Sequence, residues 1–160
     1  MIIHLPDIWI VIIDIILWLI IHLLIAYVGT LLPVKYINTD MWLFKERIWE
    51  KGGAIYENIF FIKKWKELLP DGSALFKKGF RKKRFVSLNK DYVSRFIVEV
   101  SRAELVHWTV ILISPVFFLW NYVWAGYVMI IYAILANLPC ILAQRYNRIR
   151  FRRIFQKFSK

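Results

Sequence analysis

Cysteine is nearly missing from this chain. Cys140 stands alone, which excludes an intramolecular disulfide and any cysteine-rich zinc site. The three histidines, at 4, 22 and 107, are too scattered for a metal centre, so no metal ligands are assigned. A Gly-x-Ser-x-Gly elbow, a phosphate loop and a Rossmann fingerprint are all absent. No histidine has Asp five residues on, so the His-x-x-x-x-Asp pair of glycerolipid acyltransferases is lacking. Glu-x-x-His occurs once, and a di-iron site needs two copies. There is no internal repeat and no low-complexity tract.

What the chain does have is apolar surface and positive charge. Hydrophobic residues make up 59% of the 160 positions, and the mean hydropathy is +0.51. So small a soluble fold cannot easily hide that much apolar area, whereas a bilayer can cover it. Lys and Arg number 23 against 11 Asp and Glu, a net charge of +12. Every one of these basic residues lies between Lys35 and Arg102 or after Gln144. That segregation follows the positive-inside rule, and it favours anionic membrane lipids over nucleic acid as the partner of the charge.

The expected fold class is an all-α integral membrane protein, with residues 1–160 forming a single membrane domain. Three transmembrane helices are expected, at about 8–28, 105–120 and 127–143, the last two forming a hairpin joined by the uncharged segment 121–126. No basic n-region precedes the first run and no small-x-small cleavage site follows it, so the run reads as an uncleaved anchor. Between the first helix and the hairpin lies a basic loop, about 33–102. It carries two expected amphipathic helices suited to a membrane interface, one through Trp42, Phe44 and Trp49 to Gly52-Gly53, the other from Ile55 to Leu69. The turn Pro70-Asp71-Gly72 and the dense basic run 77–84 follow. A basic tail, 145–160, closes the chain. The expected location is the cell membrane, multi-pass, with the main loop and the C-terminus cytoplasmic.

Chemistry concentrates at the start of the expected hairpin. Asp91, Arg95, Glu99 and Arg102 recur at helical spacing and form a charged face. On the opposite, apolar face, Val93, Phe96, Ile97 and Val100 lead on to Glu104 and His107. A carboxylate and an imidazole three residues apart, entering a membrane helix, are costly to bury unless they pair or work. As a working pair, His107 is a general base and Glu104 orients it. As structural groups, they only satisfy each other, or the histidine bonds a neighbouring carbonyl at the interface. An antiparallel hairpin brings Asn137, Gln144, Arg145 and Asn147 to the same region. These are either a polar cup around the pair or helix glue and lipid anchors. Asp14 and His22, eight apart in the first helix, are weaker candidates.

Several segments together carry a resemblance. Glu50-Lys51-Gly52-Gly53, Lys63-Lys64-Trp65-Lys66 with Leu69-Pro70-Asp71-Gly72, and Arg102-Ala103-Glu104-Leu105-Val106-His107-Trp108 come first. Ala136-Asn137-Leu138-Pro139 and Gln144-Arg145-Tyr146-Asn147-Arg148 follow. In this order and spacing the chain resembles the glycosyl-4,4'-diaponeurosporenoate acyltransferases of staphyloxanthin-type carotenoid biosynthesis. The resemblance implies transfer of a fatty acyl group to a sugar hydroxyl of a glycosyl carotenoid acceptor, with no cofactor beyond an acyl donor, acyl-CoA or acyl-carrier protein. On this reading His107 and Glu104 are catalytic. Asn137, Gln144, Arg145, Asn147 and Arg102 hold the oxyanion or substrate, and Lys63, Lys64, Lys66, Arg81 and Lys82 hold the anionic donor. Two alternatives remain: an acyltransferase acting on another glycolipid, or a non-enzymatic membrane scaffold binding anionic lipid and a partner protein.

Overall fold

The computed structural model describes residues 6–69 and 89–158. Among them every regular element is helical. The expected turn at Pro70-Asp71-Gly72 and the basic run with Arg81 and Lys82 lie outside the described residues.

Helix α1, Asp7–Leu31, is apolar nearly all round. Ile10, Asp14 and Trp18, one turn apart, face inward, while Ile8, Trp9, Ile15, Leu19 and Leu24 are exposed. A continuous exposed apolar surface of this kind fits hydrocarbon rather than water. Among the described residues two helices, α1 and α5 (Val123–Lys157), are long and apolar enough to cross a membrane.

Helix α4, Lys90–Ile113, begins at Asn89, whose side chain accepts the Tyr92 N–H at 2.7 Å as an N-cap. The helical face expected to run from Asp91 into Glu104 and His107 is one rod, continuous with the first hairpin helix. Nothing between them breaks a helix, and the rod yields only at Ser114-Pro115, where proline removes a backbone donor and a tighter 3₁₀ stretch, Ser114–Leu119, takes over. Likewise α5 does not stop near 143 but carries on through the basic tail.

α4 and α5 pack along most of their lengths, and α1 leans on α4. Gly29 permits that lean: a Cβ there would lie 2.3 Å from Val106 Cγ2. Trp18, Val110, Phe117 and Ala133 form a buried cluster between the three helices.

The loop between α1 and α4 departs most from expectation. Two continuous amphipathic helices are replaced by short turns: 3₁₀ turns at Trp42–Phe44, Ile48–Gly53 and Lys66–Leu68, and one-turn helices α2 (Ala54–Asn58) and α3 (Ile62–Trp65). The breaks fall where the backbone turns left-handed, at Lys51, Gly52, Gly53 and Phe61. Tyr56 and Ile62 thereby fold against Ala143, Tyr146 and Ile149 of α5 as a second buried cluster.

Candidate active site

Where the loop meets the helices, four charges alternate in the interior. Glu50, Glu104 and Arg148 are buried and Arg145 is nearly so. Arg145 donates from Nε to Glu50 Oε1 at 2.6 Å and from Nη2 to Glu50 Oε2 at 3.2 Å. Its Nη1 reaches Glu104 Oε1 at 3.2 Å and the Leu43 carbonyl at 2.9 Å, and its Nη2 reaches the Lys45 carbonyl at 3.0 Å. Those five contacts match the five N–H donors of a guanidinium. Arg148 pairs with Glu104 Oε2 and donates from Nε to the Phe44 carbonyl at 3.2 Å. Two carboxylates and two guanidiniums cancel, and this balance is what makes their burial tolerable.

The Glu50-Lys51-Gly52-Gly53 motif has a physical reading here. Glu50 is drawn inward while the chain reverses through three consecutive left-handed residues, with φ of 46°, 66° and 94°. Tyr56 Oη adds a 2.5 Å bond to Glu50 Oε1, and the Arg47 N–H binds Oε2. Burial works to raise the Glu50 carboxyl, but the bonds from Arg145, Tyr56 and the Arg47 N–H outweigh it and hold the group below its ordinary value of 4.5. Burial, and then the Glu50 carboxylate, push the Tyr56 phenol above its usual range, so it remains a neutral donor.

His107 takes an amide partner. Its Nδ1 lies 2.9 Å from Asn137 Oδ1, and Asn137 Nδ2 donates to the Ala133 carbonyl at 2.8 Å. A carbonyl only accepts, so the atom facing Ala133 is the amide NH₂ and the one facing His107 is the amide oxygen. That oxygen also only accepts, so Nδ1 carries the hydrogen, and in the neutral ring the lone pair sits on Nε2. An amide that orients an imidazole in this way recurs in Cys-His-Asn sites.

Asn137 meets the His107 ring at Nδ1, and Glu104 is held by Arg145, Arg148 and, at 3.4 Å, Trp108 Nε1. Arg145 directs its donors to protein oxygens. Gln144, two turns inward from Asn137 on α5, has a buried Oε1 without a hydrogen-bond partner. Asn147 accepts from Lys66 Nζ at 3.3 Å, and Arg102 pairs with Glu99 at 2.5 Å and donates to the Leu32 carbonyl at 3.3 Å, so both are engaged elsewhere.

The expected donor-binding lysines lie along the loop. Lys63 pairs with Glu57 at 2.5 Å, Lys64 sits over the Phe61 ring and Lys66 over the Tyr146 ring. Burial pulls the Lys66 ammonium below its usual value despite nearby Glu67. Sequence reasoning missed Glu50 as an ion-pair partner; the i,i+3 spacing of Arg145 and Arg148 was the available signal for the paired guanidiniums. Among the described residues no group of three or more His, Cys, Asp or Glu is placed to hold a metal ion.

The family model for glycosyl-4,4'-diaponeurosporenoate acyltransferase matches residues 40–157. Proteins of that name from Staphylococcus aureus strains N315 and MRSA252 are 36% and 37% identical over 139 residues, 87% of this chain and 84% of each relative. No solved structure matches. Glu50, Glu104, His107, Asn137, Arg145 and Arg148 all fall inside the matched segment, while α1 precedes it.

Proposed function

The chain belongs to the glycosyl-4,4'-diaponeurosporenoate acyltransferase family and is an acyltransferase, and from this premise we propose that it esterifies a sugar hydroxyl of a glycosylated carotenoid acid with His107 as general base. The observation that carries the reading is the 2.9 Å contact between His107 Nδ1 and Asn137 Oδ1, which leaves Nε2 as the basic nitrogen. Nε2 takes the hydroxyl proton as the sugar oxygen attacks the thioester carbonyl of an acyl donor, acyl-CoA or acyl-carrier protein. The tetrahedral intermediate collapses, the C–S bond breaks, and the imidazolium returns the proton to the departing thiolate. Products are an ester and a free thiol.

Glu104 acts as a positioning residue, fixing α4 and α5 against the loop beside the base. Gln144 offers its unpartnered amide oxygen to another sugar hydroxyl. Asn147 and Arg102 shape the inner end of the bundle. Lys63, Lys64 and Lys66, with Arg81 and Lys82 of the basic run, attract the anionic donor.

In the membrane, the apolar second half of α4 and the 3₁₀ stretch after it, about 105–120, make the third crossing beside α1 and α5. The positive-inside rule puts the main loop and the C-terminus in the cytoplasm. The exposed Trp42, Trp49, Phe60 and Phe61 of the loop rest in the interface.

The deciding experiment supplies the membrane-inserted protein with a glycosylated carotenoid acid and an acyl donor, and reads the added acyl mass by mass spectrometry. Wild type gives the ester, and His107→Ala lowers its rate by about 10² to 10⁴-fold. A folded His107→Ala variant that keeps most of the activity would remove the general base. An acylated simple glycolipid with an unchanged carotenoid would reassign the acceptor.

A further inference from the structure

Two cavities of about 480 and 500 Å³ adjoin along the seam between α1 and α5. They share Val11, Asp14 and Met129, and so form one groove from Asp7 and Trp124 at one end to His22 and Tyr132 at the other. Along α1 that span rises about 22 Å. Its walls are apolar, with Val11, Ile15 and Leu19 on α1 facing Met129 on α5.

The polar groups in the groove also serve its shape. Asp14 Oδ1 accepts from Trp120 Nε1 at 2.8 Å and from Asn121 Nδ2 at 3.0 Å, fastening α1 to the hairpin tip. His22 Nδ1 donates to the Trp18 carbonyl at 2.9 Å. The Trp18 ring meets those of His22 and Tyr132, with centroids 5.3 and 5.0 Å apart. The groove ends in aromatic rings at the level where the buried cluster of Trp18, Val110 and Ala133 begins. One turn further inward on α4 and α5, Val110 and Ala133 give way to His107 and Asn137.

We infer that this groove holds the conjugated chain of the acceptor, with its sugar at His107. The inference rests on the acyltransferase reading above. A conjugated chain is rigid and cannot fold back, so a sugar held at the inner end of the bundle sends its chain toward the opposite face of the membrane. An apolar trough of about 22 Å, whose inner end lies about one turn above His107 in register along the helices, is a path such a chain can take. The saturated chain of an acyl donor is flexible and needs no straight trough. It remains in the inner leaflet.

The test reads binding apart from turnover. Protein in nanodiscs is titrated with the glycosylated carotenoid acid and followed by circular dichroism in the visible band, where the free chain gives almost no signal and an asymmetric groove induces one. Wild type develops a saturable band. Val11→Phe with Leu19→Phe, which fills the trough away from every residue of the site, weakens it at least fivefold and raises KM for this acceptor by a similar factor, while the thermal midpoint stays near wild type. A full-strength band and unchanged KM in the folded double variant overturn the inference, as does a band displaced by a saturated acyl donor. A wild-type band without acyl transfer leaves the groove standing and removes the reaction reading instead. A double variant that fails to fold is replaced by Ile15→Phe alone, to which the same outcomes apply.

Discussion

Glu50 and Glu104 share one guanidinium: Arg145 holds the first at 2.6 Å through Nε and the second at 3.2 Å through Nη1. A loop residue and a helix residue far apart in sequence are thereby tied to α5 at a single point. Lysine in place of Arg145 offers one point charge, which cannot reach both carboxylates and the two loop carbonyls. Arg145→Lys is expected to cost about 3–5 kcal/mol, the range for breaking a buried pair. The measurement is thermal unfolding in detergent. A variant as stable as wild type would show that the loop is held by other means.

The same network makes stability sensitive to acid. Glu50 has a lower pKa folded than unfolded, so its contribution is complete above the ordinary carboxylate value of 4.5 and is lost as pH falls from there through the folded value. The thermal midpoint of wild type should therefore drop on acidification below that value. Glu50→Gln should start lower at neutral pH and show a flatter acid dependence. Parallel curves for the two proteins would contradict the assignment.

Gly53 has φ of 94°, where a side chain strains the backbone. Gly53→Ala should destabilise by about 1–2 kcal/mol. At Gly52 a Cβ would sit on the Arg153 guanidinium, the far end of a flexible side chain that can swing away. Gly52→Ala should therefore cost only the backbone strain of a side chain at φ 66°. Urea or thermal midpoints of the two variants check both effects, and a neutral Gly53→Ala would mean the turn relaxes.

How far all this was legible in the sequence depended on which force dominated locally. α1 was readable because 25 nearly uniform apolar residues leave a helix few alternatives. The run of α4 from Asp91 into His107 was readable from its continuous apolar face, and the helix holds through the shift from charged to apolar composition until Pro115 removes a donor. The loop misled. Its 55–69 stripe has helical spacing, but Phe61 turns left-handed and Ile62 is carried into the cluster on α5. Glu104, His107, Asn137 and Arg145 stood out as polar groups in or beside apolar helices. Some of their partners did not, because i,i+3 spacing gives no sign that two long arginines from the facing helix reach the Glu104 carboxylate or that an amide reaches the His107 ring.

Asn137 separates a catalytic from a merely structural account of the imidazole. Leucine keeps the branched shape of asparagine, though it is the larger residue, and suits an apolar helix, so Asn137→Leu should fold and insert with a modest loss of thermal midpoint. It accepts no hydrogen bond, however, so His107 loses the partner that holds its hydrogen on Nδ1 and its lone pair on Nε2. With the general base misoriented, kcat should fall about 100-fold while KM for the acceptor barely moves. Asn137→Asp keeps an acceptor at the same place and should retain more activity than the leucine variant. If Asn137 only glued the helices, the ranking would follow stability instead, and Asn137→Leu would turn over at the wild-type rate.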